Sequence, residues 1–154
     1  MPFSGVRQNF YASSLPSSWT SCYRASYSTP MSSSTLSSIQ SSCNKRYLLL
    51  GCRMSSTMFI VAAMGHRNDV LYNCYSTTTC KHVANGVAWY YSTSYSWGFA
   101  DGSDSVQRSI CDISGINSNK RLCWHTNGNG GYRCGSATNL NSSSSYEKVI
   151  YHSA

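Results

Sequence analysis

From Lys45 onward, apolar and polar positions follow one another with the period of β-strands. Tyr47-Leu48-Leu49-Leu50-Gly51-Cys52 is a continuous apolar run, as in a strand buried on both faces. Met58 to Met64 is another. Further strand-like segments follow at Asp69 to Tyr75, Val83 to Ser92, Ser96 to Ala100, Val106 to Asp112, Arg121 to Thr126, Gly131 to Gly135 and Tyr146 to His152. The last alternates, with Tyr146, Lys148, Ile150 and His152 on one face and Glu147, Val149 and Tyr151 on the other. Gly, Asn, Asp and Ser turns separate these segments. That spacing predicts a mainly β domain, a sandwich or a barrel, over residues 1–154 as a single unit.

The front of the chain differs. Val6 to Tyr11 has strand character, and Trp19 and Tyr23 bracket Cys22. In the stretch Met31 to Gln40, Leu36, Ile39 and Cys43 stand at i, i+3 and i+7, after Pro30 and several serines able to cap. This predicts one short helix. A weak internal period is also visible. Ile60, Gly65 and Cys74 recur 37 residues later as Trp97, Gly102 and Cys111, and Asn44-Lys45-Arg46 returns as Asn119-Lys120-Arg121. Pseudo-symmetric β units are the expectation if the period is structural.

Composition narrows the functional classes. Charged residues make up only 11% of the chain, against about 25% in ordinary soluble domains. A surface of hydroxyls and amides desolvates more cheaply than an ionic one and suits sugars, matrices or a second copy of the chain. The net charge of +7 favours anionic partners. Lys45-Arg46 and Lys120-Arg121 are the only adjacent basic pairs, so no dedicated nucleic-acid patch can be read. No apolar run is long enough to span a membrane.

Eight cysteines, without a CxxC motif, point to disulfides and to an exported chain. The candidates are Cys22, Cys43, Cys52, Cys74, Cys80, Cys111, Cys123 and Cys134. Met1-Pro2-Phe3-Ser4 lacks the features of a signal peptide, so an exported chain is expected here in its mature form. Asn141-Ser142-Ser143 is a lone glycosylation sequon.

Two stretches are candidates for contact with a ligand. In RLCWHTNGNGGYRCGS, Cys123 and Cys134 flank an Asn/Gly turn. A disulfide across that hairpin, or from each cysteine to another strand, would pin the loop ends. A Cys74–Cys80 bridge would do the same for the loop between them. Trp124, His125, Asn127, Asn129, Tyr132 and Arg133 then form the first site, in which rings stack on sugar C–H faces and amides bond hydroxyls. The second lies in WYYSTSYSW, with Tyr91, Tyr95 and Trp97. A single Trp on a strand is more often a core residue, and Trp124 is compatible with that position as well.

Metal and catalytic chemistry have few parts. Cys123-Trp124-His125 and Cys80-Lys81-His82 lack the paired spacing of zinc ligands. Asp101 and Asp104 are weak calcium candidates without EF-hand spacing, and otherwise no cofactor is expected. Five acids limit carboxylate chemistry, and no GxSxG is present. His66, His82 and His125 would serve a small nuclease or toxin as acid and base.

Residues Trp19, Cys22 and Tyr23, Leu50-Gly51-Cys52-Arg53, Cys123-Trp124-His125-Thr126, Gly130-Gly131-Tyr132-Arg133-Cys134-Gly135 and Glu147-Lys148-Val149-Ile150-Tyr151 together carry a resemblance. Over residues 19 to 152 the chain resembles small Cys-rich domains of predicted exported bacterial proteins. The resemblance implies an exported, self-contained module and assigns no functional residue. The expectation is therefore an extracellular, non-catalytic recognition domain, probing glycans or an extracellular surface. The alternatives are a structural or adhesive subunit that assembles with itself, and a small secreted nuclease or toxin.

Overall fold

The computed structural model describes residues 1–54, 57–73, 78–111 and 116–154. Among these residues, ten strands form two five-stranded sheets. The strands are β1 (Arg7–Tyr11), β2 (Thr20–Ser26), β3 (Tyr47–Arg53), β4 (Met58–His66), β5 (His82–Ala84), β6 (Val87–Tyr91), β7 (Ser96–Asp101), β8 (Leu122–His125), β9 (Gly131–Cys134) and β10 (Glu147–Ser153). Helix α1 spans Ser33–Ser42 and the single-turn α2 spans Arg67–Val70. The first sheet runs β1-β4-β3-β10-β2 and the second β5-β6-β7-β8-β9. The sheets pack as a sandwich and do not close into a barrel.

The first sheet has apolar side chains on both faces. Leu48, Leu50, Cys52, Val61, Ala63 and Ile150 face the second sheet. Leu49, Phe59, Ala62, Met64 and Val149 face the other way, under Trp19, Phe3, Phe10 and Leu15 from the front of the chain. The unbroken apolar run of β3 follows from this double burial. Glycine at position 51 makes room on the outer face, where a Cβ would meet the Phe59 ring at 2.8 Å. The expected helix is present as α1. Ser32 caps it by accepting from Thr35 N at 3.4 Å, and Leu36 and Ile39 are buried.

Four expectations need correction. Val83 to Ser92 is not one strand but the β5–β6 hairpin. Asn85 and Gly86 take φ of 54° and 73° at its turn, so the Asn-Gly signal prevails over the apolar run around it. The described part of Asp69 to Tyr75 contains the end of α2 and a turn. Arg108–Ile110, within Val106 to Asp112, is a 3-10 turn. Strand β2 has no strong sequence signal because it is an edge strand with exposed or half-buried residues throughout. The internal period has no counterpart in topology: the second sheet is a simple meander, whereas the first inserts the last strand between β3 and β2. Cys74, Tyr75 and Asp112 lie outside the described residues.

Three disulfides connect described residues. Cys22–Cys43 ties β2 to the end of α1, and Cys52–Cys134 ties the two sheets through the core. Cys111–Cys123 holds the segment after β7 against the outer face of the second sheet. Cys80 is disulfide-bonded as well, while the expected Cys74–Cys80 pairing lies outside the described residues.

Candidate functional site

A Cys123–Cys134 bridge across the β8–β9 hairpin is ruled out by strand parity. Cys123 pairs with Arg133 and Leu122 with Cys134 in the register. Cys134 therefore joins the core between the sheets, while Cys123 faces outward. Each cysteine is bonded elsewhere, Cys134 to β3 and Cys123 to Cys111 just after the 3-10 turn.

The same parity places the tryptophans. Trp124 is fully buried. Its Nε1 donates to the Tyr27 hydroxyl at 3.0 Å, and that hydroxyl donates to the Arg133 carbonyl at 3.0 Å. Trp97 meets Trp124 edge to face at 5.7 Å and donates through Nε1 to the Val70 carbonyl at 3.0 Å. Tyr91 meets Trp97 at 5.4 Å, and its hydroxyl accepts from Gln40 at 3.1 Å. Tyr91, Trp97, Trp124 and Tyr27 thus form an aromatic column between the sheets, with their polar atoms satisfied internally. Trp124, Trp97 and Tyr91 are core residues and no stacking platform. Arg133 is also buried and donates to the Gly135 carbonyl at 2.8 Å.

What remains at the surface is a rim at one end of the second sheet. The turn between β6 and β7 and the loop between β8 and β9 meet there. Thr126 N donates to the Tyr95 carbonyl at 3.0 Å, and the Thr126 hydroxyl donates to the Ser92 carbonyl. Tyr95 is 38% exposed, and Asn127 and Asn129 are exposed. A β-bulge sits where Cys123 pairs with Arg133 but Trp124 pairs with Gly131, so Tyr132 is the extra residue. Bulges re-aim side chains. This one brings Tyr132 against the outer-face cluster and into edge contact with His125 at 5.7 Å. Burial holds the His125 imidazole below its ordinary pKa. It is therefore neutral at pH 7, with one donor and one acceptor.

The glycines of this loop answer to the protein itself. A Cβ on Gly130 would lie 2.2 Å from the Tyr27 carbonyl oxygen, and one on Gly131 would lie 2.5 Å from the Tyr27 ring. Met31 N donates to the Asn129 carbonyl at 3.2 Å. Asn127 Oδ1 accepts from Asn129 N and Nδ2 at 3.4 and 3.1 Å. The loop is thus fastened beneath and presents its amides outward.

The weak calcium candidates are served by the chain's own donors. Asp101 Oδ2 accepts from Ser103 N and Oγ at 3.3 and 2.7 Å, which lowers its pKa. Asp104 is buried, accepts from Asn117 Nδ2 at 3.0 Å and lies 3.9 Å from Arg121. The Lys81 ammonium donates to the carbonyls of Gly102 and Asp104. A calcium ion would compete with that lysine for the same oxygens. Among the described residues no group of three or more His, Cys, Asp or Glu is placed to hold a metal.

The histidines are dispersed. His66 lies against Tyr47 in a tilted contact at 4.8 Å, and His125 meets Tyr132. His82 Nε2 lies 2.7 Å from Asp69 Oδ1, under the stacked ring of Tyr72 at 4.4 Å. That Asp69–His82 pair joins residues 13 apart in sequence, and no local motif signals it.

Two of the clefts among the described residues lie at opposite ends of the first sheet and are lined by charged side chains. One, of about 240 Å³, holds Glu147 between Arg53 at 2.8 Å and Arg24 at 3.3 Å. Arg53 also lies over the Phe59 ring at 5.5 Å. The other, of about 170 Å³, is lined by Asn44, Lys45, Arg46, His66, Arg67 and Asn68. Sequence reading finds Lys45-Arg46 as an adjacent pair but has no means of bringing His66 and Arg67 beside it.

No protein-family model matches the chain, and no curated protein or solved structure matches it significantly. No helix among the described residues is long and apolar enough to cross a membrane.

Proposed function

We propose that this chain is an exported, non-catalytic recognition domain that binds neutral carbohydrate at the rim of its second sheet. The observation that carries the reading is the chemistry of that rim. Tyr95, Asn127 and Asn129 are exposed, His125 and Tyr132 are half-buried beside them, and burial lowers the His125 pKa. A ring edge, a phenol, a neutral imidazole and two amides suit a polyhydroxyl ligand better than an ion. The disulfides among the described residues support an oxidising compartment.

A screen of the oxidised protein against neutral oligosaccharides tests this. Selective binding that is lost in Tyr95→Ala and Tyr132→Ala, with the near-ultraviolet circular dichroism of the core tryptophans intact, is the expected result. A blank array would end the reading.

A second reading, self-association, is favoured by the sheet edges. Both β1 and β2 leave one side of the first sheet's hydrogen-bonding ladder unpaired among named strands. Concentration-dependent sedimentation without ligand would support it.

A further inference from the structure

The cleft at the β3–β4 end of the first sheet gathers three basic side chains, Lys45, Arg46 and Arg67. Segment 44–46 enters β3, and segment 66–68 leaves β4. The antiparallel register sets Tyr47 opposite His66 and so brings the two segments side by side. Arg67 N donates to the Arg46 carbonyl at 2.8 Å, which fastens one to the other. The Arg67 side chain reaches the end of α1, donating through Nε to the Cys43 carbonyl at 3.0 Å and through Nη2 to the Gln40 carbonyl at 3.0 Å. Cys43 is itself held to β2 by the Cys22–Cys43 disulfide. One guanidinium is thereby fixed in the wall, while Lys45 and Arg46 are exposed beside it. A frame assembled in advance reduces the ordering cost of binding.

Among the described residues, Lys45, Arg46 and Arg67 have no acidic partner. Asp69, two residues from Arg67, is turned to His82 at 2.7 Å. The cleft at the other end of the sheet shows the contrast, because there Glu147 is set between the two arginines. The positive field extends to His152. Burial, and then the charge of Lys45, lower its pKa, and its buried Nδ1 has no hydrogen-bond partner. Like charges gathered in one cleft repel one another, and a bound anion relieves that repulsion. Asn44 and Asn68 add amide donors at the edge.

The lining selects the kind of anion. The small cleft offers cations and amide donors, which suit a single tetrahedral oxyanion. Tyr47 is half-buried and engaged with the His66 ring, so the cleft offers no free aromatic platform. Single-stranded nucleic acid is ordinarily held by such stacking. We infer that this cleft binds the sulfate groups of a sulfated polysaccharide, with Arg67 as the fixed cation and Lys45 and Arg46 closing over the anion. The site shares no residue with the rim of the second sheet and goes beyond the neutral-sugar reading.

The test is isothermal titration of the oxidised protein with a heparin-derived oligosaccharide, repeated across a range of salt. The wild type should bind, and the affinity should fall as salt rises. The double variant Lys45→Ser/Arg46→Ser should lose at least about tenfold in affinity at about 0.15 M salt and show a shallower salt dependence. Both positions are exposed, so its unfolding midpoint should match the wild type. The basic residues Arg24 and Lys120 lie outside the cleft, and Arg24→Ser/Lys120→Ser should bind as the wild type does. Three results would overturn the inference: no binding by the wild type, an equal loss in the Arg24/Lys120 control, or single-stranded DNA of matched charge binding as tightly as the sulfated chain. Inorganic sulfate that saturates the cleft without any gain from the oligosaccharide would count against a polysaccharide as well. A blank on the neutral-sugar array leaves this result unaffected, so the two readings fail separately.

Discussion

The two sheets have the same number of strands but different surroundings. The first sheet is covered by apolar side chains on both faces, inward by the second sheet and α1, outward by residues from the front of the chain. The outer face of the second sheet is covered by a smaller cluster, Ala88, Tyr90, Ala100, Val106, Cys111 and Cys123, with Tyr132 at its margin. That face keeps its cover through the Cys111–Cys123 bond and through polar contacts such as the Ser96 hydroxyl donating to the Arg108 carbonyl at 2.7 Å. The difference shows how one sandwich divides its tasks. Double burial makes the first sheet a rigid frame whose ends can hold charge. A lighter cover leaves the turns of the second sheet open at the rim.

Breaking the staple between the sheets should have the largest effect on that arrangement. Replacing Cys52 and Cys134 together by Ser removes a crosslink between residues 82 apart, at a cost of about 4.5 kcal/mol on chain-entropy grounds. Replacing Cys111 and Cys123, 12 apart, should cost only about 3 kcal/mol. Guanidinium unfolding of the two Ser pairs gives the comparison, and the reverse order would mean that the outer cover of the second sheet matters more than its joint to the first.

Aromatic truncation sharpens the same contrast. Trp124→Ala and Phe59→Ala should each destabilise by about 3–5 kcal/mol, because both rings are fully buried. Tyr132→Ala, at the half-exposed rim, should cost about 1 kcal/mol or less. A well-folded Trp124→Ala variant that loses ligand would contradict the core position of that ring.

A buried lysine offers a finer probe of the frame. Lys148 is fully buried on β10, donates to the Thr29 carbonyl at 2.8 Å, and burial pushes its pKa down to about 8. Between pH 8 and 10 the unfolded lysine still holds its proton while the folded one has released it. Stability therefore rises with pH across that window. Lys148→Met should abolish the rise and add roughly 2–3 kcal/mol at pH 7. Above pH 10 the trend turns, since burial pushes Tyr23 up to about 12 and Tyr27 upward as well. Thermal melts at several pH values would show whether the mutant curve is flat.

The smallest predicted effect falls on the rim. Tyr95→Ala should change stability by no more than about 0.5 kcal/mol, as an exposed turn substitution, while removing binding of a neutral oligosaccharide.

Much of the fold was legible in the pattern. The apolar run of β3, the alternation of β10 and the spacing of Leu36 and Ile39 in α1 each report a face that must be buried. Strand β2 was not legible, because an exposed edge needs no periodic signal. Asn85-Gly86 was visible as a dipeptide but lay inside an apolar stretch that suggests continuity. The candidate site was half legible. The Asn/Gly loop is where the residues indicated, but the parity of β8 decides that Trp124 and Cys123 point in opposite directions, and parity depends on register. The bulge at Tyr132 is invisible in sequence. The basic cleft is a tertiary product, since only the β3–β4 pairing brings Lys45 and Arg46 to His66 and Arg67.

The place of β10 has a consequence for how the first sheet is completed. Strand β10 occupies the gap between β3 and β2, pairing with both. Strands β2 and β3 lie near one another in sequence but share no ladder of their own. Their union depends on residues 147–153, so the pairing of greatest sequence separation acts as the keystone of the sheet, set last between two flanks that cannot meet without it.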